Sequence, residues 1–371
     1  MRISVLVASL LVSACNGAGA PSQALLPTAE SLKIPASGSY LFVANCCGAL
    51  NHGDVTVYDP GETKIARHIT QGDFDPMDIV VDRAATLYVL DQSEGGPGGV
   101  TVTEYDRGSH LPSRRIDGLY WATTLAVDRS NDLFVADCNT CVSSGEKPAA
   151  AADSVTEYAP GQTNPSRTIT QGIHHPVALA LDAGGNLYVS NNGFNDGSKH
   201  LGAAITVYAP GSRTPLRKIT QGILGPGPIA LNAGGDLFVL TGNAKAKLVE
   251  YAAGSSKVVR KINAALAGFH AMAVDASGTL YVSNWPNNPS GPGWISIYAT
   301  GRSSPEYKIV RGINQPVALA LDGSGNLYVA NLGPSLWGHV SIYAPNGRAA
   351  SRSLVAEVFG PPRSIAFGGS Y

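Results

Sequence analysis

The chain carries nearly the same stretch twice, 140 positions apart: residues 175–191 read HPVALALDAGGNLYVSN and residues 315–331 read QPVALALDGSGNLYVAN. A longer unit recurs around both copies. Its marker is an apolar–Thr/Ser–apolar–Tyr element, found in strict or variant form as VTVY at 55, VTEY at 102 and 155, ITVY at 205, LVEY at 248, ISIY at 295 and VSIY at 340, so successive units lie 43 to 53 residues apart. After each marker come a turn such as APG and a basic-apolar run such as RTITQG or RKITQG. A proline then opens an apolar run that in most units ends in Asp, followed by a Gly-Asn or Gly-Asp turn and a second run such as LYVSN or LFVAD. Short apolar runs broken by turn residues, with no helical period, read as four strands per unit. Units of this length with four strands each predict an all-β chain: a seven-bladed β-propeller of four-stranded blades.

The ends of the chain predict how the ring closes. YLFVANC (40–46) is a second strand with no first strand before it, and RSIAFGG (363–369) is a first strand with no second after it. Pairing the two completes the seventh blade and removes two exposed sheet edges. The propeller is therefore expected to span residues 39–371.

The repeated stretch is expected to be structural. DAGGNLYV and DGSGNLYV have variants DASGTLYV at 275, NAGGDLFV at 232 and DRSNDLFV at 128, and a motif present in most blades cannot be one active site. In a hairpin turn the Asp accepts local backbone hydrogen bonds and Gly accepts positive φ. A calcium loop would need further acidic ligands. The ring Asn45, Asp91, Asp137, Asn191, Thr241, Asn284 and Asn331, which ends the second strands, is likewise expected to cap loops.

On Pro176 through Asn191, Pro316 through Asn331 and the Val/Ile-Thr-Val-Tyr strands, the chain resembles the NHL-repeat propellers, and more loosely the gluconolactonase-like and streptogramin-lyase-like ones. It departs from the NHL pattern at Val177-Ala178 and Val317-Ala318, where a Gly usually follows the Pro-x step. The lactonase resemblance implies a divalent metal held at the channel mouth by an acidic residue with Asn and Asp, a set that Asp78 with Asn191 or Asn284 could imitate. The lyase resemblance implies His and Glu there; His270 stands at the mouth, but the inner strands carry no Glu.

Composition narrows the partners. Only 14% of residues are charged, against about a quarter in typical domains, and the formal net charge is −1 with no run of Lys or Arg longer than two. Nucleic acid and anionic membrane surfaces call for a basic stripe, so neither is expected as partner. Residues 1–14 read as a secretory signal peptide, and Val12-Ser13-Ala14-Cys15 resembles a bacterial lipobox, which implies cleavage before Cys15 and lipidation of its thiol. Residues 15–38 are small, polar and Pro-punctuated, a tether. These features predict a monomer in the bacterial cell envelope, outside the cytoplasm and joined to membrane only through its lipid. The remaining four cysteines then suit disulfides, Cys138 with Cys141 and Cys46 with Cys47; the alternative for Cys138 and Cys141, a redox or metal CxxC, lacks a βαβ context and a second CxxC.

Function is expected on the irregular loops at one end of the channel. Inner strands aligned on their terminal Asp show three misfits, Asp78, His270 and Arg363, with an Asp78–Arg363 ion pair between neighbouring blades as the structural expectation. Asp75, Trp121, His174, His175 and Trp285 stand just above them, the aromatics as loop anchors or a stacking platform. There is no Gly-x-Ser-x-Gly elbow, phosphate loop or HExxH, so no catalytic residue, metal or cofactor is expected. The reading is a binding or scaffold module for a protein, peptide or glycan, with a channel-mouth hydrolase or lyase as the alternative.

Overall fold

A computed structural model describes residues 39–46, 53–72, 75–92, 99–141, 152–195, 200–242, 246–262, 271–285, 291–333, 338–355 and 360–368. Each repeat forms one four-stranded antiparallel sheet, and seven such blades stand in a ring. Inner strands, in ring order, are Pro362–Gly368, Pro76–Val81, Ala122–Val127, Pro176–Leu181, Pro226–Leu231, Met272–Val274 and Pro316–Leu321. Blades one to seven are numbered in that order.

Blade one is assembled from both ends of the chain. Its inner strand Pro362–Gly368 pairs with Tyr40–Asn45 in the register Leu41↔Phe367, Phe42↔Ala366 and Val43↔Ile365. The expected closure is thus the one observed. Second strands are apolar along their length because sheets cover both their faces; Leu87–Asp91, Leu187–Asn191 and Leu327–Asn331 are buried throughout. Burial fades at the outermost strands, where Ile65–Ile69 and Val258–Ile262 mix exposed and half-buried residues before a buried Ile.

Recurrent polar contacts explain the recurrent residues. Asp182 Oδ1 accepts the N–H groups of Gly184 and Asn186, both at 2.9 Å, and Asp322 does the same for Ser324 and Asn326 at 2.9 and 2.8 Å. The turn aspartates therefore have local partners, as the sequence indicates. The third-strand tyrosines join blades: Tyr105, Tyr208, Tyr251 and Tyr343 donate their hydroxyls to the carbonyls of Gln71, Gln171, Gln221 and Arg311 in the connection from the preceding blade, at 2.5 to 2.8 Å. Buried hydroxyls with such partners are satisfied rather than costly.

Deleting residues 361–371 should remove the inner strand of blade one, strip Phe42 and Val43 of cover and lose buried Ile365, each worth about 1.5–3 kcal/mol. The truncated chain should melt well below the intact protein or aggregate in a calorimetric scan. An unchanged transition would contradict closure by the chain ends.

Candidate functional site

Strand order sorts the loops. The Asp-Gly turns between first and second strands lie on one face with the APG turns between third and fourth; the second-to-third loops and the blade-to-blade connections lie on the other. Five of the seven members of the predicted capping ring fix the loop-bearing face. Asp91 accepts the N–H of Asp75 at 2.8 Å, Asp137 those of Tyr120 and Trp121 at 3.0 and 2.7 Å, Asn191 that of His174 at 2.8 Å, Thr241 that of Leu224 at 2.7 Å, and Asn331 that of Asn314 at 2.8 Å. The amides of Asn191, Asn284 and Asn331 also donate to Thr206, Ser296 and Ser341 of the third strand. Asn191 and Asn284 thus serve the frame, and the metal set implied by the lactonase resemblance loses two members to it.

This capping recurs in five connections and leaves their side chains free to differ. In blades one, two, three, four and seven the residue before the inner strand accepts a backbone N–H from the residue after the second strand: Gln92 to Asp75, Cys138 to Trp121, Asn192 to His175, Leu332 to Gln315 and Cys46 to Pro361, at 2.9 to 3.2 Å. Asp75, Trp121, His175, Gln315 and Pro361 therefore occupy equivalent points on one rim. Their chemistry is not repeated, whereas their frame is. His174, next to that rim, is exposed, and its ring lies where a Cβ on Gly202 would come within 3.0 Å. It supports the small hairpin Phe194–Asn195/His200–Leu201 in the blade-four loop.

Below the rim, Asp78 is fully buried at 0% exposure. Its oxygens accept the N–H groups of Ile79 and Leu125 at 3.0 and 3.1 Å and the hydroxyls of Ser364 and Thr124 at 2.9 and 3.1 Å. Ser364 and Thr124 are its aligned counterparts in the two flanking blades, so one carboxylate bridges three inner strands. This corrects the expected Asp78–Arg363 ion pair. The Arg363 guanidinium acts on Asp75, opposing the rise that burial causes in that carboxyl. Side chains alternate along a strand, so adjacent Arg363 and Ser364 face different neighbours.

Cysteine chemistry gathers at the rim. Cys138 and Cys141 form the expected disulfide, and the Cys46 sulfur, itself disulfide-bonded, lies 2.6 Å from Asp75 Oδ1. His175 comes close to the Cys138–Cys141 pair, within 4.8 Å of both sulfurs. Sequence spacing did not signal that meeting. Trp285 is buried at 9% exposure, which leaves it, of its two expected roles, the loop anchor and not the open stacking surface; Trp121 is half-buried. His270, Cys47, Cys15 and, in the irregular loops, residues 93–98, 142–151, 196–199 and 286–290 lie outside the described residues.

Burial is the main cause that pushes the Asp78 carboxyl up from its ordinary value near 3.8 to about 7, against its hydrogen bonds. A carboxyl with a raised folded pKa holds more protons folded than unfolded between those values, so its share of stability is lost as pH rises from about 4 to 7. The upper bound on that share is about 4 kcal/mol. In thermal melts across this window, Asp78→Asn should flatten the decline even if it lowers stability at pH 4. Parallel pH profiles for both proteins would contradict the assignment.

No family model matches the chain, and no curated protein matches it. Among solved structures it is similar in fold to a propeller chain of Kuenenia stuttgartiensis hydrazine synthase, with a TM-score of 0.56 over 74% of this chain and 78% of that one. At 17% identity this likeness concerns the fold alone.

Proposed function

We propose that this protein is a binding and scaffold module that takes a protein, peptide or glycan ligand on its loop-bearing face. The observation that carries this reading is the rim itself: five equivalent backbone positions bear Asp75, Trp121, His175, Gln315 and Pro361 on one rigid frame. A frame that repeats while its outward residues do not is how a scaffold acquires specificity. Half-buried Trp121 supplies an aromatic anchor, and exposed His174 braces the adjoining hairpin. A channel-mouth hydrolase or lyase would need a carboxylate open to substrate. Asp78 is closed off, with both oxygens engaged by donors from three blades.

We place the module outside the cytoplasm on a lipid at Cys15, a reading supported by the lipobox-like Val12-Ser13-Ala14-Cys15 and by a disulfide that suits an oxidising compartment. Mass spectrometry of the mature protein should find a diacylglyceryl adduct on Cys15, and an unmodified mature chain starting elsewhere would refute the anchor. For the ligand, the immobilised protein should be screened against glycan and peptide arrays and the hits titrated. Trp121→Ala should weaken a true ligand by about tenfold or more, as loss of an aromatic anchor does, with the melting temperature unchanged. Leu216→Ala, an exposed residue on the opposite turns, should have no effect. Binding that survives Trp121→Ala and is lost in Leu216→Ala would move the site to the other face.

A further inference from the structure

Cys138, Cys141 and His175 come from two blades. The cysteines follow the second strand of blade three, and His175 precedes the inner strand of blade four. Their meeting follows from a contact made around the ring, in which the end of one blade's second strand lies against the start of the next blade's inner strand. Asn192 Nδ2 donates to Pro226 O, and Cys46 Sγ lies against Asp75 at the equivalent place between blades one and two. Only between blades three and four does this contact unite two sulfurs and an imidazole among the described residues, all within 4.8 Å.

One carboxylate holds both segments. Asp153 accepts the N–H and hydroxyl of Thr140, inside the Cys-x-x-Cys turn, at 2.8 and 2.9 Å, and the N–H of His175 at 2.7 Å. It is buried at 5% exposure. The equivalent residue before the third strand is Gly53, Gly293 and Gly338 in blades one, six and seven, where a Cβ would come 2.1, 2.5 and 2.6 Å from the second-strand carbonyl oxygen. Blade three departs from that glycine, and the departure supplies the clamp. His175 also has a left-handed backbone, φ 51°, but Gln315 in blade seven has φ 55°, so this conformation is not peculiar to the cysteine pair.

We propose that the Cys138–Cys141 pair with His175 is a redox-gated site for a thiophilic divalent cation such as Zn2+: closed as the disulfide and open as the dithiol. Reduction is ordinary thiol–disulfide exchange. An external thiolate attacks Sγ of Cys141, the less buried residue of the pair, forming a mixed disulfide and releasing buried Cys138 as thiolate. A second thiolate takes the external group, leaves as a symmetrical disulfide and frees the Cys141 thiolate. Two thiolates and a neutral ring nitrogen then bind the metal; any thiol protons go to water. Zinc takes sulfur at about 2.3 Å and nitrogen at about 2.0–2.1 Å in a tetrahedron, which sets the two sulfurs about 3.8 Å apart. The cysteine Cα atoms are 5.4 Å apart in a turn closed by the Cys141 N–H on Cys138 O, so side-chain rotation suffices, with a shift of about 1 Å by His175. Three protein ligands leave a fourth position on the loop-bearing face.

The test uses the full chain, reduced with a phosphine that binds no zinc, and Zn2+ alone as probe. Reduced protein should take up one Zn2+ per chain in competition with a chromophoric chelator, and the disulfide form none. Co2+ in place of Zn2+ should give a thiolate charge-transfer band and tetrahedral ligand-field bands. His175→Gln installs the residue that blade seven uses at this point, so the fold should persist; it should weaken Zn2+ by at least about tenfold and change the Co2+ bands. Cys141→Ser, compared with the reduced wild type, should abolish the charge transfer or halve it. Absence of Zn2+ uptake by the reduced, folded protein, or equal affinity in His175→Gln, would overturn the proposal.

Discussion

A blade buried on both faces needs a neighbour on each side, and this requirement governs the rest of the molecule. The second strands are apolar along their length, so an open row of blades would leave two large hydrophobic faces and two sheet edges to solvent. The chain meets the requirement by pairing Tyr40–Asn45 with Pro362–Gly368. Covalent continuity ends inside a blade, and hydrogen bonds and packing take over. Edge-to-face contact of Tyr328 in blade seven with Phe367 in blade one, ring centroids 4.9 Å apart, carries the packing across that seam.

Once the ring is closed, the residues divide into those that repeat and those that do not. The turn aspartates, the Asn/Asp/Thr caps and the third-strand tyrosines recur because every blade presents the same unsatisfied backbone groups. They spend their polar atoms on the frame. The rim residues have backbones held by those caps, so Asp75, Trp121 and His175 differ without cost to the fold. Asp78 is an intermediate case, an unrepeated charge whose partners are the repeated ring positions Thr124 and Ser364.

Much of this was legible in the sequence. The period gave the blades, the two incomplete end units gave the closure, and the recurrence of Asn191 and its counterparts gave the caps. The Cys138–Cys141 pairing followed from a four-residue span. What was hidden depended on lateral contact between blades. Alignment placed Asp78, Thr124 and Ser364 in one row, but opposite charge pointed to Arg363, one residue away and on the other side of the strand. The approach of His175 to Cys138 spans 37 residues and arises only because successive blades overlap at the rim. Setting the residue after each second strand beside the residue before the next inner strand would have shown it. Trp285 reads in sequence as either a loop anchor or a stacking surface, and burial leaves it the anchor.

Native-state amide hydrogen exchange tests the central claim, a ring closed by the chain's own ends, most directly. Protection of the amides in Leu41–Ala44 and Ile365–Phe367 should match that of the second and inner strands of blades four and seven within about tenfold, since all open only when the ring opens. Exchange at both termini many orders faster than in those blades would mean that the ring stands open, and that the rim is not held by a closed frame.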